Sequence, residues 1–211
     1  NLVGNFYPPQ SIFVDVDFIE SLNTVQRSAG LCEAVKICFA HTGNAFDEFC
    51  QLNPMVSSSL DKYESIISLC LRTKQWFIEV DEFDRKERII FNYGHTFGHA
   101  IESVTSYDIP HGVAVSFGMD MANFISLKKG YITFNDFNRA RLIFKNICKG
   151  YTINQISINA LLKAMENDKK NENGKLGLIL TKGWGNMFKD LTLADQEFIE
   201  WMEEYMKAYH S

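Results

Sequence analysis

The apolar positions fall into separable blocks, and their spacing predicts a mainly α-helical chain with a short N-terminal strand and a small hairpin. After Pro8-Pro9, the run Ser11-Ile-Phe-Val-Asp-Val-Asp17 is short and rich in β-branched residues, which predicts a buried strand. A single strand cannot satisfy its own backbone groups, so residues 1–22 are expected to be the tail of an upstream α/β domain, with residues 23–211 forming a helical domain. From Thr24 the period turns helical. Val25 to Leu52 predicts two helices, or one broken near His41-Thr-Gly43. Ser57 to about Phe83 predicts a long helix that buries Leu60, Tyr63, Ile66, Ile67, Cys70 and Leu71. A helix bearing His95 and His99 follows, then Gly112 to Lys129 closed by Gly130, Asn135 to Lys149 closed by Gly150, and a shorter helix over Ile156 to Met165. Beyond the polar stretch Asn167 to Lys175, Leu176 to Leu180 and Asn186 to Lys189 predict a hairpin around Gly183 and Gly185. Thr192 followed by Asp195 predicts a capping box that opens a last helix reaching about Tyr209.

Composition narrows the classes. The 211 residues are 46% hydrophobic and 13% aromatic, ample for a core, and the net charge of -5 argues against nucleic acid or an anionic membrane as the main partner. Any anion site must then be local. Five cysteines, odd in number and without a Cys-x-x-Cys pair, read as reduced core thiols of a cytoplasmic protein. No apolar run approaches the about 18 residues of a membrane span, and no secretory signal is recognisable. The chain opens on Asn1 rather than methionine, so a piece of a longer polypeptide is expected.

Candidate chemistry concentrates between Asn92 and Gly112, which hold three of the five histidines. On one continuous helix Arg88, Asn92, His95 and His99 would share a face. Two imidazoles, a guanidinium and an amide on one stripe suit a metal or an anion better than bulk water. His111 follows Pro110 and so opens the next helix. Spacing alone suggests His95 and His99 as joint ligands, in the manner of His-Glu-x-x-His proteases, but Thr96 stands where that motif has its general base. Two histidines hydrogen-bonded at a helix surface remain the plain alternative.

The surrounding words are more specific. Asn92-Tyr-Gly-His-Thr-Phe-Gly-His-Ala-Ile-Glu102, followed twelve residues after its second histidine by His111-Gly-Val-Ala-Val-Ser-Phe-Gly-Met119, resembles the signature of the dehydroquinate synthase-like sugar phosphate cyclases. That resemblance implies the C-terminal metal-binding domain of a two-domain α/β plus α enzyme. It implies NAD held mainly by the upstream domain, a Zn2+ or Co2+ ion, a homodimer, and a phosphorylated sugar acid as substrate. The activity implied is conversion of 3-deoxy-D-arabino-heptulosonate 7-phosphate to 3-dehydroquinate with loss of phosphate, a step towards aromatic amino acids. The family's ligand set falls on Glu33 of Gly30-Leu-Cys-Glu-Ala-Val-Lys36, on His95 and on His111, leaving Lys36 and His99 to act on the substrate. Lys74 and Arg88 match the pair that holds a substrate carboxylate; Asn1, Asn92 and the Asp168-Lys169-Lys170 loop match phosphate contacts. One departure concerns substrate. The charged run Arg85-Lys86-Glu87 precedes Arg88 where biosynthetic members carry a Gly-Gly-Leu-Arg type of run, which keeps open another cyclase, making a cyclitol or polysaccharide precursor. A non-catalytic domain of the same fold is the alternative from another class.

Overall fold

In the computed structural model, which describes residues 10–41, 43–81, 87–166, 168 and 171–209, the described residues form eight helices and one hairpin. A 3-10 turn at Val16–Ser21 leads into α1 (Thr24–Ala40), α2 (Ala45–Leu52) and α3 (Leu60–Val80). A second 3-10 turn, Glu87–Asn92, precedes α4 (His95–Val104), α5 (His111–Lys128), α6 (Phe134–Ile147) and α7 (Ile158–Met165). Strands β1 (Leu176–Thr181) and β2 (Met187–Thr192) pair antiparallel, with Leu176 opposite Thr192 and Thr181 opposite Met187, and α8 (Gln196–Tyr209) follows.

Helix α5 is the axis. Every residue from Gly112 to Ser126 is buried, so the helix is enclosed on all sides by α1, α4, α6, α8 and β1. Its polar residues are not strays, because several tie a neighbouring element to it. Asn123 accepts a hydrogen bond from the buried Tyr93 hydroxyl at 2.5 Å, Asp120 accepts from Tyr205 of α8 at 2.8 Å, and the Ser126 hydroxyl accepts from the Thr181 backbone of β1 at 3.1 Å. Buried hydrogen bonds of this kind fix a unique packing rather than only adding stability.

Two glycines set how close the neighbours come. A Cβ on Gly118 would lie 2.0 Å from the Gly94 carbonyl oxygen, and one on Gly112 would lie 2.3 Å from the Ala29 carbonyl oxygen of α1. At both places backbone rests on backbone, with no flexible side chain able to yield.

Several expectations need correction. Residues 11–15 form no strand and Val16–Ser21 is a 3-10 turn, with Ile12, Phe13 and Phe18 exposed at 71%, 95% and 74%. A strand needs a partner, and none stands beside this segment among the described residues. Local bonds replace the ladder: Asp15 accepts from the Asp17 N–H, and the Arg27 guanidinium donates to the carbonyls of Leu22 and Glu20. The predicted single stripe from Arg88 to His99 is also broken, because Asn92 lies in the 3-10 turn and Gly94 adopts φ +76° before α4 begins at His95. On α3 the buried stripe is Tyr63, Ile66, Leu69, Thr73 and Phe77, while Leu71 is exposed and Leu60, Ile67 and Cys70 are half-buried. Thr192 belongs to β2; Asp195 alone caps α8, accepting from the Phe198 N–H at 3.0 Å. The five cysteines are free thiols, as expected.

The glycine contacts give a paired test by thermal unfolding. Gly118→Ala should cost about 3 kcal/mol or more, since overpacking here displaces backbone. Gly30→Ala, at a helical position with nothing within 4 Å of the added methyl, should instead gain about 0.5–1 kcal/mol.

Candidate metal centre

Three helices each bring one ligand to a common point. Glu33 projects from the middle of α1, His95 is the first residue of α4 and His111 the first of α5. One ligand atom from each lies within 4.8 Å of the others. A helix start is a well-defined place for a side chain, because the chain entry on one side and the first hydrogen-bonded turn on the other fix its direction.

Each carboxylate oxygen of Glu33 has a separate environment. Oε2 accepts from the buried Lys36 ammonium at 2.6 Å, one turn along the same helix. Oε1 is buried and accepts no hydrogen bond; His111 Nε2 stands 3.8 Å away. Burial by itself would push the Glu33 carboxyl up, but the Lys36 charge and hydrogen bond, with smaller help from His95 and His111, outweigh it and hold the group below its ordinary range. For His95, burial first and the Lys36 cation second bring the imidazole down to about 4, so it is neutral at pH 7. Its Nδ1 faces the Tyr93 carbonyl at 3.2 Å, an acceptor, which places the proton on Nδ1 and the lone pair on Nε2. His111 Nδ1 faces the Glu102 carboxylate, 3.1 Å from either oxygen. A second donor set, His99, Glu102 and His111, meets the same distance criterion and shares His111 with the first.

Two histidines and a carboxylate with one orphaned, buried oxygen are the donors of an open zinc-type centre, which keeps a further position for water or substrate. An ion at the first set would satisfy Glu33 Oε1, the one oxygen in it that the protein leaves without a donor.

Residues 30–171 match the family model described as 3-dehydroquinate synthase C-terminal. The chain belongs to that family. A 3-dehydroquinate synthase of Alkaliphilus metalliredigens is 33% identical over 211 residues, covering 98% of this chain and 58% of that protein. One of Helicobacter pylori is 31% identical over 186 residues, covering 88% and 53%. The chain thus spans little more than half the length of these relatives. Among solved structures, 2-deoxy-scyllo-inosose synthase complexed with carbaglucose-6-phosphate, NAD+ and Co2+ superposes with a TM-score of 0.83 at 24% identity, over 99% of this chain and 59% of that one. A 2-epi-5-epi-valiolone synthase of Streptomyces hygroscopicus with NAD+ and Zn2+ bound gives 0.77 at 18% identity, over 92% and 54%. At such identities these two establish a shared fold.

Within this dehydroquinate synthase-type domain, the remaining expected residues are unevenly placed. Lys36 stands on Glu33, and the His99 ring lies 5.3 Å from that of His95 and 5.9 Å from that of His111, centroid to centroid. Asn92 ends the 3-10 turn just before α4, half-buried. Lys74 is exposed on α3. Asn1, Lys169, Lys170 and the Arg88 side chain lie outside the described residues. Sequence reasoning gave Glu102 no role, although it closes the quoted signature and lies seven residues beyond His95, two turns along α4. No helix of the described residues is long and apolar enough to cross a membrane.

The centre is checked by metal content after gentle purification in Zn2+ or Co2+. The unaltered chain should carry one ion, and Glu33→Gln and His111→Ala should each retain less than about a tenth of it, since losing one of three protein ligands removes most of the affinity.

Proposed function

We propose that this chain is the metal- and substrate-binding part of a 3-dehydroquinate synthase, acting on 3-deoxy-D-arabino-heptulosonate 7-phosphate. The observation that carries the reading is the convergence of Glu33, His95 and His111 with Glu33 Oε1 left unbonded, in a chain of this family. When bound, the divalent ion would polarise substrate hydroxyl and ketone oxygens and NAD would oxidise the neighbouring carbinol transiently.

The chain's own residues would do the rest. Lys36, held on Glu33, places a fixed positive charge at the oxygen side of the site, where developing negative charge is stabilised without reorganisation. His99, whose ring lies beside those of His95 and His111, is assigned the proton taken and returned as phosphate departs. Asn92, Asn1 and a lysine of the pair Lys169 and Lys170 are assigned to the phosphate. Lys74 and Arg88 are assigned to the substrate carboxylate, whose capture would fix the ring precursor and make closure effectively unimolecular.

NAD is assigned to an α/β domain outside these 211 residues. The exposed apolar side chains of Ile12, Phe13 and Phe18 support a covering surface there, since an apolar patch of this kind marks a contact. Assembly as a homodimer and a cytoplasmic location belong to the same proposal.

The alternative is a cyclase for a sugar phosphate without a carboxylate, favoured by the charged run Arg85-Lys86-Glu87, in which Glu87 would neutralise Arg88. A non-catalytic domain is disfavoured by the assembled donor set.

The complete protein, with its nucleotide domain, should prefer the heptulosonate phosphate over sedoheptulose 7-phosphate and glucose 6-phosphate by at least about a hundredfold in kcat/KM, because a substrate without the carboxylate forfeits its charge-assisted hydrogen bonds to both cations. The isolated 211-residue chain with added NAD should release no phosphate from any of the three. A side-by-side phosphate-release assay decides: preference for a neutral sugar phosphate moves the assignment to another cyclase, and turnover by the isolated chain refutes the placing of NAD.

A further inference from the structure

Two donor sets share His111, and the proposed function leaves open what directs an ion to one of them. We propose that Glu102 is a positioning residue that assigns the nitrogens of His111, holding a proton at Nδ1 so that Nε2 faces Glu33 and His95. The inference rests on the metal reading above.

The His111 ring stands between two carboxylates. Both Glu102 oxygens are 3.1 Å from Nδ1, at hydrogen-bond distance, whereas Glu33 Oε1 is 3.8 Å from Nε2, beyond it. A neutral imidazole has one N–H to donate. Geometry gives that proton to Glu102, and burial agrees: the Glu102 side chain is 10% exposed against 35% for Glu33, so its hydrogen bond operates in the drier surroundings and is the stronger. With Nδ1 protonated, the lone pair lies on Nε2.

That settles the competition between the sets. The Glu33 set uses the nitrogen carrying the lone pair and an oxygen that lacks a donor. The His99 set would draw on Glu102, a carboxylate already engaged by the Nδ1–H of His111, and the His111 nitrogen nearest that carboxylate is the one that carries the proton. His95 arrives at the same tautomer by a different route, its Nδ1 donating to the Tyr93 backbone carbonyl. One ring is therefore oriented by backbone, which substitution leaves intact, and the other by a side chain that substitution can remove.

The chain commits local structure to this contact. Between Glu102 near the end of α4 and His111 at the start of α5, Ser106 and Tyr107 both adopt left-handed backbone, at φ 51° and 63°, and the Tyr107 N–H donates to the Glu102 carbonyl at 2.8 Å. Two consecutive non-glycine residues in that region are uncommon and persist only where the surroundings impose them. The tight reversal returns the chain so that the first residue of α5 meets a residue of α4.

The test measures Zn2+ affinity by competition with a chromophoric chelator, together with the His111 ring tautomer by nitrogen-15 NMR of the metal-free chain. Glu102→Leu should weaken Zn2+ by about 10- to 100-fold, the usual loss when the partner of a ligand histidine is removed, and Glu102→Gln, whose amide oxygen still accepts but without the charge, by a smaller and measurable factor. Glu102→Leu should also populate the Nε2–H tautomer of His111, a change that a merely structural role for Glu102 would not produce. His99→Ala should stay within about twofold of the unaltered chain, whereas Glu33→Gln should not. Unchanged affinity in both Glu102 variants, or an unchanged tautomer in the leucine variant, overturns the proposal. So does loss of Zn2+ in His99→Ala with retention in Glu33→Gln, which would place the ion in the other set. Wild-type affinity in His111→Ala is a different failure, because it removes the metal reading itself. The glutamine variant, nearly the same shape as glutamate, keeps the test decisive should the leucine variant not fold.

Discussion

The contact on which the rest depends is backbone against backbone at two points along one buried helix. Gly118 of α5 lies under the Gly94 carbonyl at the entrance to α4, and Gly112 of α5 lies against the Ala29 carbonyl of α1. Side-chain packing allows adjacent helices a range of separations, set by what fills the space between them. Here that range is closed, since nothing but hydrogen fits. The three helices so fixed are the three that carry Glu33, His95 and His111. Ligand positions that must agree to about half an ångström are thereby tied to closely packed helices rather than to loops.

The electrostatics of the centre follow from that rigidity. A carboxylate and two imidazoles crowded together would normally adjust by protonation or by side chains turning away. Instead one oxygen of Glu33 is satisfied by Lys36 and the other is not satisfied at all, and His95 is kept neutral by burial and by the same lysine. A single buried ammonium thus does two things: it keeps the carboxylate charged and the imidazole uncharged, which are the protonation states a metal ligand needs. The unmet oxygen is the residual cost, and it stands 3.8 Å from His111 Nε2.

How much of this was legible in the sequence depends on the kind of interaction involved. The helices from α1 to α8 and the hairpin followed from periodicity and punctuation, because each buries one face or is closed by glycine. The strand expected at Ser11–Asp17 failed because β structure is a property of pairs: Ile12, Phe13 and Val14 have the right composition but no partner strand among the described residues. The stripe from Arg88 to His99 failed for the opposite reason, since Gly94 can take a left-handed φ that interrupts a pattern otherwise continuous in spacing. Glu33, 62 positions before His95, was reachable through a resemblance to a known motif and not through spacing, which sees only one helix at a time. Glu102 was missed even though it stands inside the motif, because a carboxylate at the end of a helix reads as an ordinary surface acid until His111 is brought back against it.

The glycine-locked helices have a consequence for what this scaffold can become. The candidate ligands stand on α1, α4 and α5, whereas Lys74 and Arg88, assigned to reading the substrate, fall on the exposed face of α3 and in the turn before α4. On these assignments reactivity and selectivity fall to different parts of the chain. Changes of substrate can accumulate in the second part while the first tolerates almost none. Descendants of one ancestral fold can then diverge in what they accept and still inherit the same inorganic chemistry.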